Sequence, residues 1–165
     1  MANSSIIGKA KNKIVREFIK DVDIIQAIGD ENVTSLENSE KLINTRIFNY
    51  NQNPYTINAV GTFITIQVQI QNALTSNRTF VNSTIEIYII SHERHMSVDN
   101  IEKVTDNRND YLSKLIDMKL NGKTDIGLGE LKLTSNVEGS FQRDYLYRRM
   151  VFEGIDLNKS LCVEE

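Results

Sequence analysis

The sequence predicts a single-domain α+β fold, with a mainly antiparallel or mixed sheet of about four strands and two principal helices packed on it. Apolar residues recur at helical spacing over residues 12–28 and again over 111–120, whereas residues 64–70 alternate between apolar and polar. No internal repeat or linker divides the 165 residues, a length typical of one domain. We expect the first ten or so residues and the tail 159–165 to be mobile.

Composition excludes several classes of protein. The 19 Lys and Arg residues against 22 Asp and Glu residues give a net charge of −3, too acidic for a protein that binds DNA over its whole surface. The single cysteine, Cys162, excludes an internal disulfide framework and suits either a reducing compartment or no redox role. No apolar run approaches the roughly 18 residues that span a bilayer, so we expect a soluble protein made in a cytoplasm.

The first helix is predicted over residues 12–28. Its apolar positions form one stripe, with charged residues between them, and Gly29 marks its end. The stripe consists of Ile14, Val15, Phe18, Ile19, Val22 and Ile25. The polar stretch Asp30 to Thr45 is expected to be a surface connection with one short helical turn.

Two strands follow a loop at residues 51–56, which holds the only proline. The first, over 64–70, is apolar on one face and polar but uncharged on the other; the second runs over 83–91. The polar connection 72–82 between them is long for a hairpin, and such loops often bind partners.

A second helix and two more strands complete the predicted fold. Thr105 and Asp106 are candidate caps for the helix, and Asn121-Gly122 marks its end. The apolar residues on either side of Gly129 differ in phase, which predicts a β-bulge there. The last strand is predicted over 145–157.

Candidate catalytic groups are few. His92 and His95 are three residues apart, a spacing that places them on opposite faces of a strand, so we expect two solvated histidines and no metal site. Gly127 and Gly129 resemble the start of a dinucleotide fingerprint, but Lys132 stands at the third glycine position. We therefore predict no catalytic residue, no cofactor and no enzymatic activity.

The arginines near the C-terminus are the best candidates for contact with a phosphate backbone. Arg143, Arg148 and Arg149 lie among Tyr145 and Tyr147, and arginine with aromatic residues serves that role in nucleic-acid binding. In an acidic chain, adjacent arginines on a strand more often form salt bridges with edge carboxylates or contact a partner subunit, and we favour that interpretation.

The order of elements resembles the neck proteins of tailed bacteriophages, in particular tail terminator and tail completion proteins. The resemblance covers about residues 13–158. It rests on the helix Lys13 to Ile28, the segment Arg46-Ile-Phe-Asn-Tyr50 followed by a loop with Pro54, the strands Phe63 to Ile70 and Ile85 to Ile90, the helix Arg108 to Ile116, and the closing segments Ile126 to Leu133 and Tyr147 to Asn158.

The resemblance implies a structural virion protein of the neck. Its subunits would form a ring, commonly a homohexamer, that caps the tail tube, ends tube polymerisation and offers a surface to the head–tail connector protein, with the tail sheath as a further partner. DNA would only pass through the lumen, no membrane is involved, and assembly would take place in the host cytoplasm. Candidate contacts to neighbouring subunits or the tube are Asn51, Gln52, Asn53, Tyr55, Asn77, Arg78, Arg148 and Arg149.

Two alternatives remain open at this level. One is a head-completion or other connector protein of the neck, and the other is a non-viral cytoplasmic binding module that recognises a ligand through its sheet. An enzyme ranks third, because no set of acid, base and nucleophile can be assembled from the sequence.

Overall fold

A five-stranded mixed sheet carries the α-helices on one face in the computed structural model, which describes residues 4–52, 56, 59–72 and 81–155. The described helices are α1 (Ser4–Ile19), α2 (Val22–Ile28) and α3 (Arg108–Leu120), with 3₁₀ helices at Leu36–Leu42 and Glu93–His95; the strands are β1 (Ile47–Phe48), β2 (Thr62–Asn72), β3 (Val81–His92), β4 (Glu130–Phe141) and β5 (Tyr145–Ile155). The sheet order is β1-β2-β3-β5-β4, and only the β1–β2 pair is parallel. The predicted α+β class is therefore confirmed.

The main core lies between the helices and one face of the sheet. Ile66, Ile87 and Met150 are paired in register across the three central strands, and all three are fully buried. The helices cover this row with apolar side chains such as Ile14 and Phe18, which are also fully buried. The alternation predicted over 64–70 and 83–91 is thus the alternation between this core and the opposite face.

The predicted helix over 12–28 is wrong in its bounds. It starts earlier, at Ser4, and it is divided into α1 and α2 at Lys20 and Asp21. The Asp21 carboxylate caps α2 by accepting from the backbone N–H of Asp23 at 3.0 Å and of Ile24 at 3.3 Å. Gly29 ends α2 in the left-handed conformation, with φ of 67°, as predicted.

Three other boundaries differ from prediction. The cap of α3 is Asn107, whose side chain accepts from the Asp110 N–H at 3.0 Å, and not Thr105 or Asp106. The bulge lies between Leu133 and Ser135 and not beside Gly129. Gly129 precedes β4, which begins at Glu130. The two-residue strand β1 was not predicted, whereas the short helical turn in the 30–45 connection is confirmed.

Arg108, the first residue of α3, is a buried charge that joins three segments. Its side chain is 4% exposed and donates at 2.6 Å to the carbonyl of Ala27, at 2.6 Å to that of His95 and at 2.5 Å to that of Ser97. The Ala27 carbonyl lies in the last turn of α2, where unpaired carbonyls concentrate negative charge. A buried cation is thereby satisfied by backbone oxygens rather than by a carboxylate.

The neighbouring residue, Asn109, completes a directed chain of buried hydrogen bonds. Its Nδ2 donates to the Leu146 carbonyl at 3.2 Å, so its Oδ1 is the acceptor for the Ser91 hydroxyl at 2.7 Å. Ser91 must then accept from Thr62 at 2.8 Å, and Thr62 must accept from His95 Nδ1 at 2.9 Å. This chain links β2, β3, β5 and α3 and requires the proton of neutral His95 to be on Nδ1.

We predict that Gly29→Ala destabilises the protein by about 2–4 kcal/mol. A Cβ at Gly29 would stand 2.4 Å from Arg108 Nη1, and the positive φ adds a backbone cost of about 1–2 kcal/mol. Gly122→Ala is the matched control, since Gly122 also has a positive φ of 79° but has nothing within 4 Å of the added Cβ. Urea unfolding gives the free energy of unfolding of both variants, and the difference between their losses of stability reports the clash with the Arg108 side chain. Equal losses of stability would contradict the conclusion that Arg108 is held against Gly29.

Candidate interaction surface

The two adjacent arginines of β5 are held by carboxylates of the same chain. Arg149 Nη2 lies 2.6 Å from Glu86 Oε1, and Arg148 Nε donates to Asp110 Oδ1 at 2.7 Å. Arg148 also lies 3.5 Å from Glu138. Of the two sequence-based interpretations, the ion-pair one is therefore confirmed, whereas contact of these arginines with a partner subunit stays a prediction.

An open cleft of about 420 Å³ lies beside Arg148, between the start of α3 and the β4–β5 hairpin. Leu146, 38% exposed, lies in the cleft together with Met96, while Asp110 and Glu138 line it with negative charge. Because Arg148 already pairs with both carboxylates, the cleft presents apolar surface and a charge cluster whose one guanidinium and two carboxylates leave a net negative charge. These properties suit contact with a protein surface better than capture of an anion.

The predicted loop contacts fall only partly on described residues. Asn51 is exposed, and Gln52 donates from its side chain to Thr56 Oγ1 at 3.0 Å, which holds this part of the loop together. Asn53 and Tyr55, and likewise Asn77 and Arg78 of the 72–82 connection, lie outside the described residues. The prediction that these loops contact partners is therefore still a prediction.

The two histidines have different environments, and the expectation that both are solvated is wrong for His95. His92 accepts from the Arg94 N–H at 3.1 Å and packs edge-on against Tyr145, with ring centroids 5.1 Å apart. His95 is half-buried and donates to Thr62. Among the described residues, no group of three or more His, Cys, Asp or Glu side chains is placed to hold a metal ion.

Burial lowers the pKa of His95, and the positive charges of Arg108 and Arg46 lower it further. The Gly29 backbone and the Asp30 carboxylate act in the opposite direction but do not outweigh these effects. Asp30 is itself engaged by Arg46, whose Nε lies 2.7 Å from its Oδ2. His95 is therefore neutral near pH 7, in agreement with the direction of the hydrogen-bond chain.

A second, smaller apolar cluster occupies the sheet face opposite the helices. Its rings include Tyr88, Phe141 and Tyr147, with Phe141 and Tyr147 centroids 4.3 Å apart and Tyr88 and Tyr147 centroids 5.6 Å apart. Tyr147 lies directly over Gly139, where a Cβ would come within 2.5 Å of its ring. Beside this cluster, Val137 of edge strand β4 is 46% exposed.

The solvent face of α1 carries a basic stripe that sequence reasoning did not treat as a surface. Residues 9–20 contain five basic residues and one acidic residue, in a chain of net charge −3. Lys9, Arg16 and Lys20 are exposed, and no ion pair to them occurs within the described part of the chain, whereas Lys13 pairs with Asp125. The sequence shows this stripe as basic residues at helical spacing, i, i+4, i+7 and i+11, starting from Lys9.

Fold and surface together define an α+β domain whose paired arginines stabilise its own structure and whose helix α1 carries a basic stripe. The YomW family model matches residues 13–153, and the chain therefore belongs to the YomW family. YomW is a Bacillus phage-type protein name, so this is a phage-related protein. No curated protein and no solved structure matches the chain.

The described helices also bear on membrane insertion. None of them combines the length and the apolar character that a bilayer span requires.

We predict that stability falls when the pH is lowered from about 7 to 5, with a contribution from His95. Its folded pKa lies below the ordinary value of about 6.5, so the unfolded chain binds more protons in this window, and the free energy of unfolding falls by at most about 1.4 kcal/mol per pH unit. His95→Asn keeps a side-chain donor near Nδ1 and removes the titration. Thermal unfolding across this range should give a flatter pH dependence for His95→Asn than for the wild type and for the control His92→Asn; equal slopes would refute the assignment.

Proposed function

We propose that this protein is a structural component of the phage neck, a tail terminator whose ring caps the tail tube and ends its polymerisation. The observation that carries the proposal is membership of a phage-related family over residues 13–153, which nearly coincides with the range of the resemblance to tail terminator and tail completion proteins. The confirmed α+β class agrees with that resemblance.

The use of the reactive side chains supports a structural role without enzymatic activity. His95 is committed to the buried chain through Thr62, and His92 is committed to Arg94 and Tyr145. Arg148 and Arg149 are committed to carboxylates of the same chain. These contacts fit side chains that stabilise the fold.

The partners in this proposal are other copies of the chain in a ring, commonly a homohexamer, the tail tube protein, the head–tail connector protein and the tail sheath. The location is the virion neck after assembly in the host cytoplasm, with DNA only passing through the lumen. The exposed apolar residues Leu146 and Val137 supply surface for such protein contacts.

We predict that phage lacking this gene produces tails of irregular length without attached heads. Without a terminator, tube subunits have no stop signal, so measured tail lengths should spread far above the wild-type value in electron micrographs of lysates. Supplying the wild-type gene from a plasmid should restore uniform tails and infectivity.

Two outcomes would contradict this role. Tails of normal length that fail to join heads would indicate a head-completion protein, the alternative function in the neck. Complete, infectious particles would exclude any essential role in the neck.

A further inference from the structure

The sheet ends on both sides in strands that are only partly covered. On one side, β1 pairs with β2 only at Ile64 and Thr65, so within the described residues no strand lies against the outer side of β2 over residues 66–72. On the other side, β4 is the outermost strand that the described residues form. Unpaired strand edges attract other strands, so proteins normally protect them.

The first half of β4 is protected by the turn that precedes it. Gly122 donates to the Leu131 carbonyl at 2.7 Å, the Leu131 N–H donates to the Lys123 carbonyl at 2.9 Å, and the Leu133 N–H donates to the Asn121 side chain at 3.1 Å. No such bond is found among the described residues for the outer edge over 135–141. The bulge between Leu133 and Ser135 separates the covered half from this open half.

The open halves lack the residues that block strand pairing. Neither 66–72 nor 135–141 contains lysine or proline, and the only charged residue in either segment is Glu138. The Glu138 carboxylate lies 3.5 Å from Arg148 of the same chain, so its charge is partly neutralised. Both edges are therefore chemically suited to pairing, and neither carries a net repulsion against the other.

The backbone phases of the two edges also match. The Ile64 N–H points outward to Arg46 of the β1 edge, so the outward backbone groups of β2 continue at Ile66, Val68 and Ile70. On β4, the backbone groups of Leu131 and Leu133 point outward. The bulge shifts this alternation by one residue, so the outward backbone groups after it belong to Asn136, Glu138 and Ser140. The sheet register places all six of these side chains on the helix side.

Pairing of outward residues from two copies would therefore keep the helices on one side of a continuous sheet. The strand directions agree as well, because β4 runs antiparallel to β2 within one subunit. Two subunits related by rotation about an axis to which the strands are inclined would bring β4 of one beside β2 of the next as an antiparallel pair. The two open halves lie at opposite ends of the sheet, which gives each junction the stagger that a closed barrel of strands requires.

We propose that the ring closes by this strand pairing, with residues 135–140 of one subunit against 66–71 of a second copy. The pairing places Glu138 opposite Val68 and Val137 opposite Gln69. This inference rests on the proposed ring function and names its interface. The contact is head-to-tail, so one subunit uses two different edges and the assembly closes when the rotation completes a circle.

Disulfide trapping tests the pairing directly. In a background in which Cys162 is replaced by serine, the double variant Gln69→Cys, Val137→Cys places two cysteines at a directly opposed pair of residues, within the Cα separation that a disulfide tolerates. Mild oxidation of the full chain should give a ladder of covalent oligomers that ends at the ring size. The matched control Met118→Cys, Val137→Cys should give no ladder, because Met118, 75% exposed, is on helix α3 and not on either of the paired strand segments.

Single-cysteine variants separate this arrangement from a two-fold dimer. Val137→Cys alone should remain monomeric on non-reducing gels, since two copies of β4 do not meet in a head-to-tail ring. A disulfide dimer of this single variant, with no ladder from the double variant, would overturn the proposal in favour of pairing between two β4 edges.

A proline substitution provides a second, independent measurement. Ser140→Pro removes an outward N–H that is not bonded within the β4–β5 ladder, so light scattering should show association weakened at least tenfold, with circular dichroism unchanged. Met118→Lys is the control and should assemble as the wild type does. The edge pairing is overturned if the wild type forms a ring, the double cysteine variant gives no ladder, and Ser140→Pro still assembles. That result leaves the neck function standing. The tail lengths of the deletion phage test the neck function separately.

Discussion

The buried guanidinium of Arg108 is the constraint on which the arrangement of the helices depends. Moving a charge out of water is costly, and Arg108 offsets that cost with carbonyl oxygens from α2 and from the segment after β3. These acceptors are distant in sequence, so they are available only when α2, α3 and the 93–97 segment are all in place. Gly29 follows from the same constraint, because a side chain there would occupy the position of the guanidinium.

The hydrogen-bond chain through Asn109 extends this constraint from the helices to the sheet. Arg108 orients the start of α3 towards α2, and Asn109 then reaches Ser91 and Leu146 at one end of β3 and β5. That end of the sheet is also where the open half of β4 pairs with β5, from Ser135↔Val151 to Phe141↔Tyr145. A rigid polar core thus lies behind the edge proposed for assembly, which lowers the entropic cost of ordering it on contact.

Local patterns in the sequence were sufficient to predict the fold class and the strands β2 and β3, because alternation over 64–70 and 83–91 reports burial on one face directly. The break at Asp21 was missed because the apolar stripe continues across it, and only the capping bonds show that two helices share the stripe. The roles of His95 and Arg108 depend on partners between 11 and 81 residues away in the chain, which periodicity does not encode. The ion pairs of Arg148 and Arg149 were anticipated in kind, although their partners were not.

Charge is distributed so that assembly and partner contacts would respond differently to salt. Six acidic residues and one basic residue fall within 21–45, next to the basic stripe of 9–20, whereas the open edges hold only Glu138. Backbone pairing between uncharged edges depends little on ionic strength, while contacts through exposed lysines and arginines are screened over about 10 Å at 0.1 M salt. A ring built on the edges would therefore persist under conditions that weaken any contact made by α1, so the two kinds of contact can be separated by salt alone.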